Sequence, residues 1–336
     1  MDEFIPSNFS ASVIIPVGSK DKHIEYCLEA IYRSSKIPLQ VIIVLDGWQR
    51  EFKDPPKKWN LIVHSAKKSG PATCRNIGAQ YSTAQFICFI DSDVEIHENI
   101  IESGIDFILS QNITGVIGSY DDCPHAKGVI TEFRNLLHHY HHQKNDKQKG
   151  VFWGAFTIVD RLKFNNIGGF NEKYSKPSIE DIELGYRFYF EGHDIQINQN
   201  LQLKHRKRWT FKTMVYTDIY LRAKPWTSLL NQKRNWSKSG LNTNKKEKLS
   251  AFFSMTLFIS VGLSFYYTYS IFIALICLLI IVHLQQSLYS FFKKKFPFYK
   301  LPLIIALHQV YYLSAIAGFT LGTLSKDTIK KEKPLG

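Results

Sequence analysis

Asp91-Ser92-Asp93 places two carboxylates one residue apart, directly after the apolar run Phe86-Ile-Cys-Phe-Ile90. Like charges emerging together at the end of a buried strand need a counterion. A divalent cation carrying a diphosphate supplies one, because carboxylate oxygens suit Mg2+ or Mn2+ and these ions share their shell with substrate phosphates. The same residues also fit an Asp-rich turn or helix cap ahead of Ile96. A second acidic pair, Glu180-Asp181, heads the helical pattern Ile179-Glu-Asp-Ile-Glu-Leu-Gly-Tyr-Arg187. Carboxylates favour the positive end of a helix in any case, and one beside a reacting hydroxyl can also act as general base.

The elements that must position these groups are legible from periodicity. Ser12-Val-Ile-Ile-Pro-Val17, Val41-Ile-Ile-Val-Leu-Asp46, Asn60-Leu-Ile-Val-His64 and Phe86–Ile90 are short β-branched runs of the kind buried on both faces of a parallel sheet. Helical spacing over His23–Ser35 and Ala72–Tyr81 separates them, which predicts a doubly wound α/β sheet. Ligands of such sheets sit beyond the carboxyl ends of the strands. The residues to read are therefore Gly18-Ser-Lys20, Asp46-Gly47 and Asp91-Ser-Asp93. Past residue 110 the pattern is mixed, with strands expected over Thr114–Gly118 and Phe152–Val159 and a helix over Ile179–Glu191.

The chain has 336 residues, 45% of them apolar, and a formal charge of +13. That content excludes disorder, and the charge points to anionic partners. The distribution is uneven: Leu249–Phe292 and Leu301–Ser325 contain no Asp, Glu, Lys or Arg. A helical crossing takes about 20 apolar residues, so two or three membrane helices are expected, near 249–267, 270–291 and 301–324. Residues 204–248 hold thirteen Lys or Arg against Asp218 and Glu247, a basic block that suits an anionic cytoplasmic leaflet and orients the first span. A third crossing would leave Lys326, Lys330, Lys331 and Lys333 outside, against the positive-inside bias. The N-terminus lacks the basic and apolar regions of a secretory signal, so a cytoplasmic catalytic part on a multi-pass protein of the cell inner membrane is expected.

Ser12–Val17, the strand ending in Asp46, Gly70-Pro-Ala-Thr-Cys-Arg-Asn-Ile-Gly78, Asp91-Ser-Asp93, Gly168-Gly-Phe-Asn-Glu172 and Glu180-Asp181 occur in an order that resembles the family 2 glycosyltransferases, over roughly residues 11–235. The resemblance implies a GT-A fold, a Rossmann-like and mostly parallel sheet, followed by an α-helical transmembrane region. It also implies a nucleotide-sugar donor, with a UDP-sugar favoured, a divalent metal (Mn2+ or Mg2+), and inversion at the anomeric carbon. The organisation expected is a leader 1–11 and a catalytic domain 12–240, split into a nucleotide-sugar half 12–120 and an acceptor half 121–240. A membrane region 249–325 and a basic tail 326–336 follow.

Carried over by position, Pro16, Val17 and Asp46 resemble the base pocket, Arg75 the residue beside the nucleotide, and Asp91 with Ser92 the ribose or sugar contact. Asp93 is the metal residue, with Asp91 beside it. The Asp of the Glu180-Asp181 pair is the base that takes the acceptor proton, and Gly168-Gly169 form an acceptor-side loop expected to be flexible. His205-Arg-Lys-Arg208-Trp209 resembles the QxxRW motif of processive synthases with His in place of Gln, which puts processivity in doubt. His205 then suits a third metal ligand, Arg208 the leaving diphosphate, and Trp209 a sugar or lipid face; a basic interfacial stretch with Trp reads the same way.

The acceptor implied is a lipid-linked or cell-envelope glycan. A polyprenyl-phosphate glycosyltransferase and a non-catalytic sugar-nucleotide-binding scaffold are the alternatives. No nucleic-acid module is present. Five cysteines without a CxxC pair read as structural. The His-rich run Leu136–His142 spreads around its helix and does not read as a zinc site. Arg222-Ala-Lys-Pro-Trp226 is expected to touch the membrane or a lipid phosphate.

Overall fold

The computed structural model describes residues 10–19, 21–35, 38–49, 60–144, 152–233, 236 and 245–325. Most of the expected leader and the whole basic tail 326–336 lie outside the described residues. The chain forms two compact units that divide between Arg208 and Trp209, well before the change in composition near residue 240.

The first unit is built on an eight-stranded sheet in the order β3-β2-β1-β4-β7-β6-β8-β5. Its strands are β1 (Ala11–Gly18), β2 (Gln40–Asp46), β3 (Asn60–Ala66), β4 (Phe86–Ile90), β5 (Val94–Ile96), β6 (Gly115–Tyr120), β7 (Phe156–Asp160) and β8 (Ile195–His205). The first four run parallel as expected. The other half is mixed, because β7 enters antiparallel between β4 and β6 and β5 pairs antiparallel with β8. The strand expected over Phe152–Val159 begins only at Phe156. The β1–β4 ladder ends at Ile14, so Pro16, which has no N–H, takes no bond from it.

Successive residues of each parallel strand serve opposite faces. Val13, Ile15, Val41 and Ile43 pack with helices α1 (Ile24–Tyr32) and α3 (Ile100–Gln111). Ile14, Ile42 and Val44 pack with α2 (Pro71–Tyr81) and α6 (Glu180–Phe190). Between them in sequence lie α4 (Val129–Lys144) and α5 (Arg161–Asn166). This two-sided burial explains the uninterrupted apolar runs of the strands.

In the second unit, α7 (Phe211–Tyr216), a π-helical segment (Thr217–Ala223) and α8 (Lys224–Gln232) precede four helices: α9 (Lys245–Leu263), α10 (Ser270–Leu284), α11 (Gln286–Lys295) and α12 (Leu301–Leu324). The helix expected over 270–291 is broken, because α10 and α11 meet at 79°. At the break, the Nε2 of buried Gln285 lies within hydrogen-bond reach of Glu247 Oε1, Ser250 Oγ and Tyr312 Oη, at 3.1, 3.1 and 2.8 Å, and its two N–H groups are shared among them. Among the described residues one helix, Phe298–Leu324, is by itself long and apolar enough to cross a membrane, and the bent pair passes only if counted as one span.

Packing of α2 on the sheet sets a stability test. A Cβ on Gly78 would lie 2.4 Å from Ile14 Cγ2. Gly78→Ala, a change that favours an isolated helix, is expected here to destabilise by about 1–3 kcal/mol through overpacking, read as a lower denaturant midpoint.

Candidate active site

Arg75, on α2, is almost fully buried, and two carboxylates from distant parts of the chain close on it. Its Nη2 donates to Asp91 Oδ1 at 2.7 Å and its Nη1 to Glu180 Oε1 at 3.1 Å. The guanidinium carbon lies 5.2 Å from the centre of the Phe170 ring. Burial opposes the charge, but Asp91 and Glu180 outweigh it and raise its pKa, so Arg75 is a permanent cation. Glu180 spends its second oxygen on the Ser178 N–H at 2.8 Å. Arg75 is thus engaged by protein, and so is Glu180, while Asp91 Oδ2 has no bond to another described residue and the side chain remains about one-third exposed.

Next to this pair, Asp181 Oδ2 accepts from the Gly154 N–H at 3.2 Å and Oδ1 from its neighbour Ile182 N–H at 2.8 Å. Desolvation first, and repulsion from Glu180 second, push its carboxyl up to about 6, against the pull of the Gly154 N–H and Arg75. A carboxylate poised there takes a proton at neutral pH. A side chain at position 154 is excluded, because a Cβ there would lie 2.5 Å from Arg75 Nη2.

Asp93 faces His205, the last residue of β8, with Oδ2 at 3.5 Å from Nε2. The pairing of β5 with β8 enforces this, since Val94 is opposite His205 in the ladder. Burial works against ionisation of Asp93, but His205, and then Lys207, bring its carboxyl down to about 2. The other imidazole nitrogen, Nδ1, is 2.9 Å from Asn135 Oδ1, and the ring stacks on Tyr120 with centroids 4.4 Å apart. With Nδ1–H donated to Asn135, Nε2 faces the carboxylate oxygen, and either a proton on Nε2 or a cation between the two atoms satisfies both. An imidazole nitrogen and a carboxylate oxygen at this separation fit neighbouring ligands of one ion held at about 2.0–2.2 Å from each. Among the described residues no three His, Cys, Asp or Glu side chains gather to hold an ion without further ligands.

Ser92 is held differently from the acids beside it: its Oγ donates to Asp21 Oδ2 at 2.6 Å, while Asp21 Oδ1 accepts the N–H groups of His23 and Ile24 at the start of α1. On the nucleotide side, Pro16 and Val17 are buried near the end of β1, and Gly18 pairs with Asp46. Asp46 Oδ1 accepts from the Ser69 and Gly70 N–H groups at 2.7 and 3.1 Å, tying β2 to the start of α2. Trp48 donates from Nε1 to Val17 O at 2.9 Å.

Gly168 and Gly169 both adopt left-handed φ, +83° and +65°. The expected flexible loop is clamped instead: Asn76 accepts from the Phe170 N–H at 2.8 Å and donates to Phe170 O at 2.9 Å, and Arg187 donates to Gly169 O at 2.6 Å. Arg208 is exposed at the end of the first unit, and the buried arginine of its motif is Arg206, paired with Glu95 and lying over the Tyr26 ring at 3.5 Å. Trp209 is buried within the second unit. Sequence reasoning missed Asp21, Asn135 and Gly154. Asp21 carried a signal, an Asp just before a helix; Asn135 inside α4 carried none.

Residues 12–168 match the family model described as glycosyl transferase family 2. This segment is a family 2 glycosyltransferase domain. Glycosyltransferase GlyG of Streptococcus pneumoniae is 24% identical over 216 residues, covering 58% of this chain and 70% of that protein. The minor teichoic acid biosynthesis protein GgaA of Bacillus subtilis is 28% identical over 108 residues, covering 29% of this chain and 24% of that protein, so the chain spans well under two thirds of it. Among solved structures, the mannosyltransferase PcManGT of Pyrobaculum calidifontis, in complex with GDP-Man and Mn2+, aligns with a TM-score of 0.56 at 12% identity over 94% of this chain and 88% of that one. The glycosyltransferase domain has the GT-A fold.

The ion triad of this domain sets a test. Arg75→Met leaves Glu180 buried without a counter-charge, and removing one partner of a buried pair costs about 3–5 kcal/mol. A lowered melting temperature is expected, with partial recovery in Arg75→Met/Glu180→Gln, measured by thermal unfolding of the full chain.

Proposed function

We propose that the protein is a membrane-associated, metal-dependent, inverting glycosyltransferase that moves a sugar from a nucleoside diphosphate sugar, in the first instance a UDP-sugar, to a hydroxyl of a lipid-linked or cell-envelope glycan. The observation that carries this reading is the joining of Asp91, beside Asp93, to Glu180, beside Asp181, through Arg75. The Mn2+ in PcManGT and the teichoic acid role in the name of GgaA support the metal and the acceptor class.

Asp93 and His205 would hold the cation, whose chemistry when bound is neutralisation of the departing diphosphate. Asn135 and Tyr120 fix the His205 ring. The free Asp91 oxygen and the Asp46 region face the nucleoside and sugar hydroxyls. Asp181 removes the acceptor proton as the new bond to the anomeric carbon forms. The bond to the diphosphate breaks on the opposite side, and its electron pair leaves with the nucleotide. Glu180 and Arg75 are positioning residues that keep Asp181 beside the donor acids. The basic block 204–248 and the apolar helices after it suit attachment to an anionic cytoplasmic leaflet.

Two measurements test this. Mn2+ titrated calorimetrically into Asn135→Leu should bind about 10–100-fold more weakly than into the natural chain, with Asn135→Asp close to natural because it keeps an acceptor for Nδ1. Transfer from a UDP-sugar, then a GDP-sugar, should fall about tenfold per pH unit below pH 6 as Asp181 takes up its proton, and Asp181→Asn should lose about 10²–10⁴ in kcat and that dependence with it. Full activity in Asp181→Asn removes the base and points to an already anionic phosphate acceptor.

A further inference from the structure

We infer that α12 does not cross the bilayer but lies against the leaflet from which the α9–α10 hairpin enters, so that both of its ends stay on one side. The inference rests on the membrane reading above. Length and composition alone make α12 the strongest candidate span. Its packing assigns it elsewhere.

α9 and α10 pack on each other, and Gln285 at the end of α10 bonds Glu247 and Ser250 at the start of α9, so the two arms form a hairpin with one base. Its tip carries Phe265, Tyr266, Tyr267 and Tyr269, all highly exposed, as an aromatic interfacial belt would be. α12 joins at the base. Ser254 Oγ donates to Gln309 Oε1 at 2.7 Å, and one turn later Tyr312 Oη donates to Glu247 Oε2 at 2.6 Å. From Gln309 to Tyr312 the helix therefore moves from the interior of α9 towards its first turn, not away from it. It continues in that sense onto the segment that precedes the hairpin. A Cβ on Gly318 would lie 2.4 Å from Ala223 Cβ, one on Gly322 would lie 2.6 Å from Lys224 O, and Ser325 Oγ is 3.0 Å from Ser228 Oγ. The GxxxG spacing thus serves a contact within the chain.

The early end of α12 is joined to α11 rather than to the tip of the hairpin. The outer halves of the hairpin arms are uncovered, with Phe258 63% and Ile276 57% exposed. The early turns of α12 pack instead on α11, where His308 Nδ1 is 2.9 Å from Tyr289 Oη. The 79° bend before α11 turns the chain away from the hairpin axis, and α11 ends in Lys293-Lys-Lys295, followed by Lys300. Lysines near an anionic leaflet contribute about 1 kcal/mol each. With α12 along the surface, Lys245–Lys248 and Lys293–Lys300 meet the same leaflet, and Ser325 ends the helix on that side, as the positive-inside bias requires.

The test uses the full chain with Cys123→Ser, which removes the one exposed thiol among the five. Lys245→Cys, Lys300→Cys and Ser325→Cys are added singly, and a membrane-impermeant maleimide is applied to right-side-out and inside-out vesicles. All three positions are expected to react at least tenfold faster in the same vesicle orientation. Ser325→Cys reacting from the face opposite to Lys300→Cys overturns the inference and leaves membrane attachment standing. Release of the chain from vesicles by alkaline carbonate overturns the membrane reading itself, and this inference with it.

Discussion

The whole site depends on one buried cation. Arg75 is the shared counter-charge of Asp91, at the end of a donor-side strand, and Glu180, at the first turn of an acceptor-side helix. Each acid brings a second carboxylate with it, Asp93 in one case and Asp181 in the other. In the low dielectric of this interior none of these charges can drift apart without exposing an unpaired ion, so the link is rigid as well as attractive. Gly154 completes it, because its missing side chain makes room for the guanidinium while its N–H reaches Asp181.

Unequal neighbours separate the two acids that matter for chemistry. Asp93, facing His205 and Lys207, stays ionised to low pH. Asp181, desolvated beside Glu180, holds its proton until about pH 6. One acid is thereby suited to a cation and the other to proton transfer, though both sit in superficially similar acidic pairs. The second layer is equally specific: Asn135 holds the His205 ring through Nδ1, and Asp21 fixes Ser92 between the two aspartates.

In the second unit the same economy of polar groups shapes apolar helices. Gln285, Glu247, Ser250 and Tyr312 satisfy one another where α10 ends, and a buried amide with so many partners defines a break that hydropathy alone reads as continuous helix.

The parallel strands β1 to β4, the helices between them and the placement of Asp46, Asp91 and Asp93 at strand ends were determined by local pattern, since unbroken β-branched runs have few other stable arrangements. The resemblance added Asp181 and His205, which no periodicity selects. Tertiary structure alone decided that β7 enters antiparallel, that Arg75 serves carboxylates rather than standing open to a nucleotide, that the Gly168-Gly169 loop is clamped, and that Arg206 rather than Arg208 is buried. The reason is common to all four. Each depends on hydrogen bonds and ion pairs between residues far apart in the chain, whose energy appears only once burial removes the water that would otherwise satisfy them.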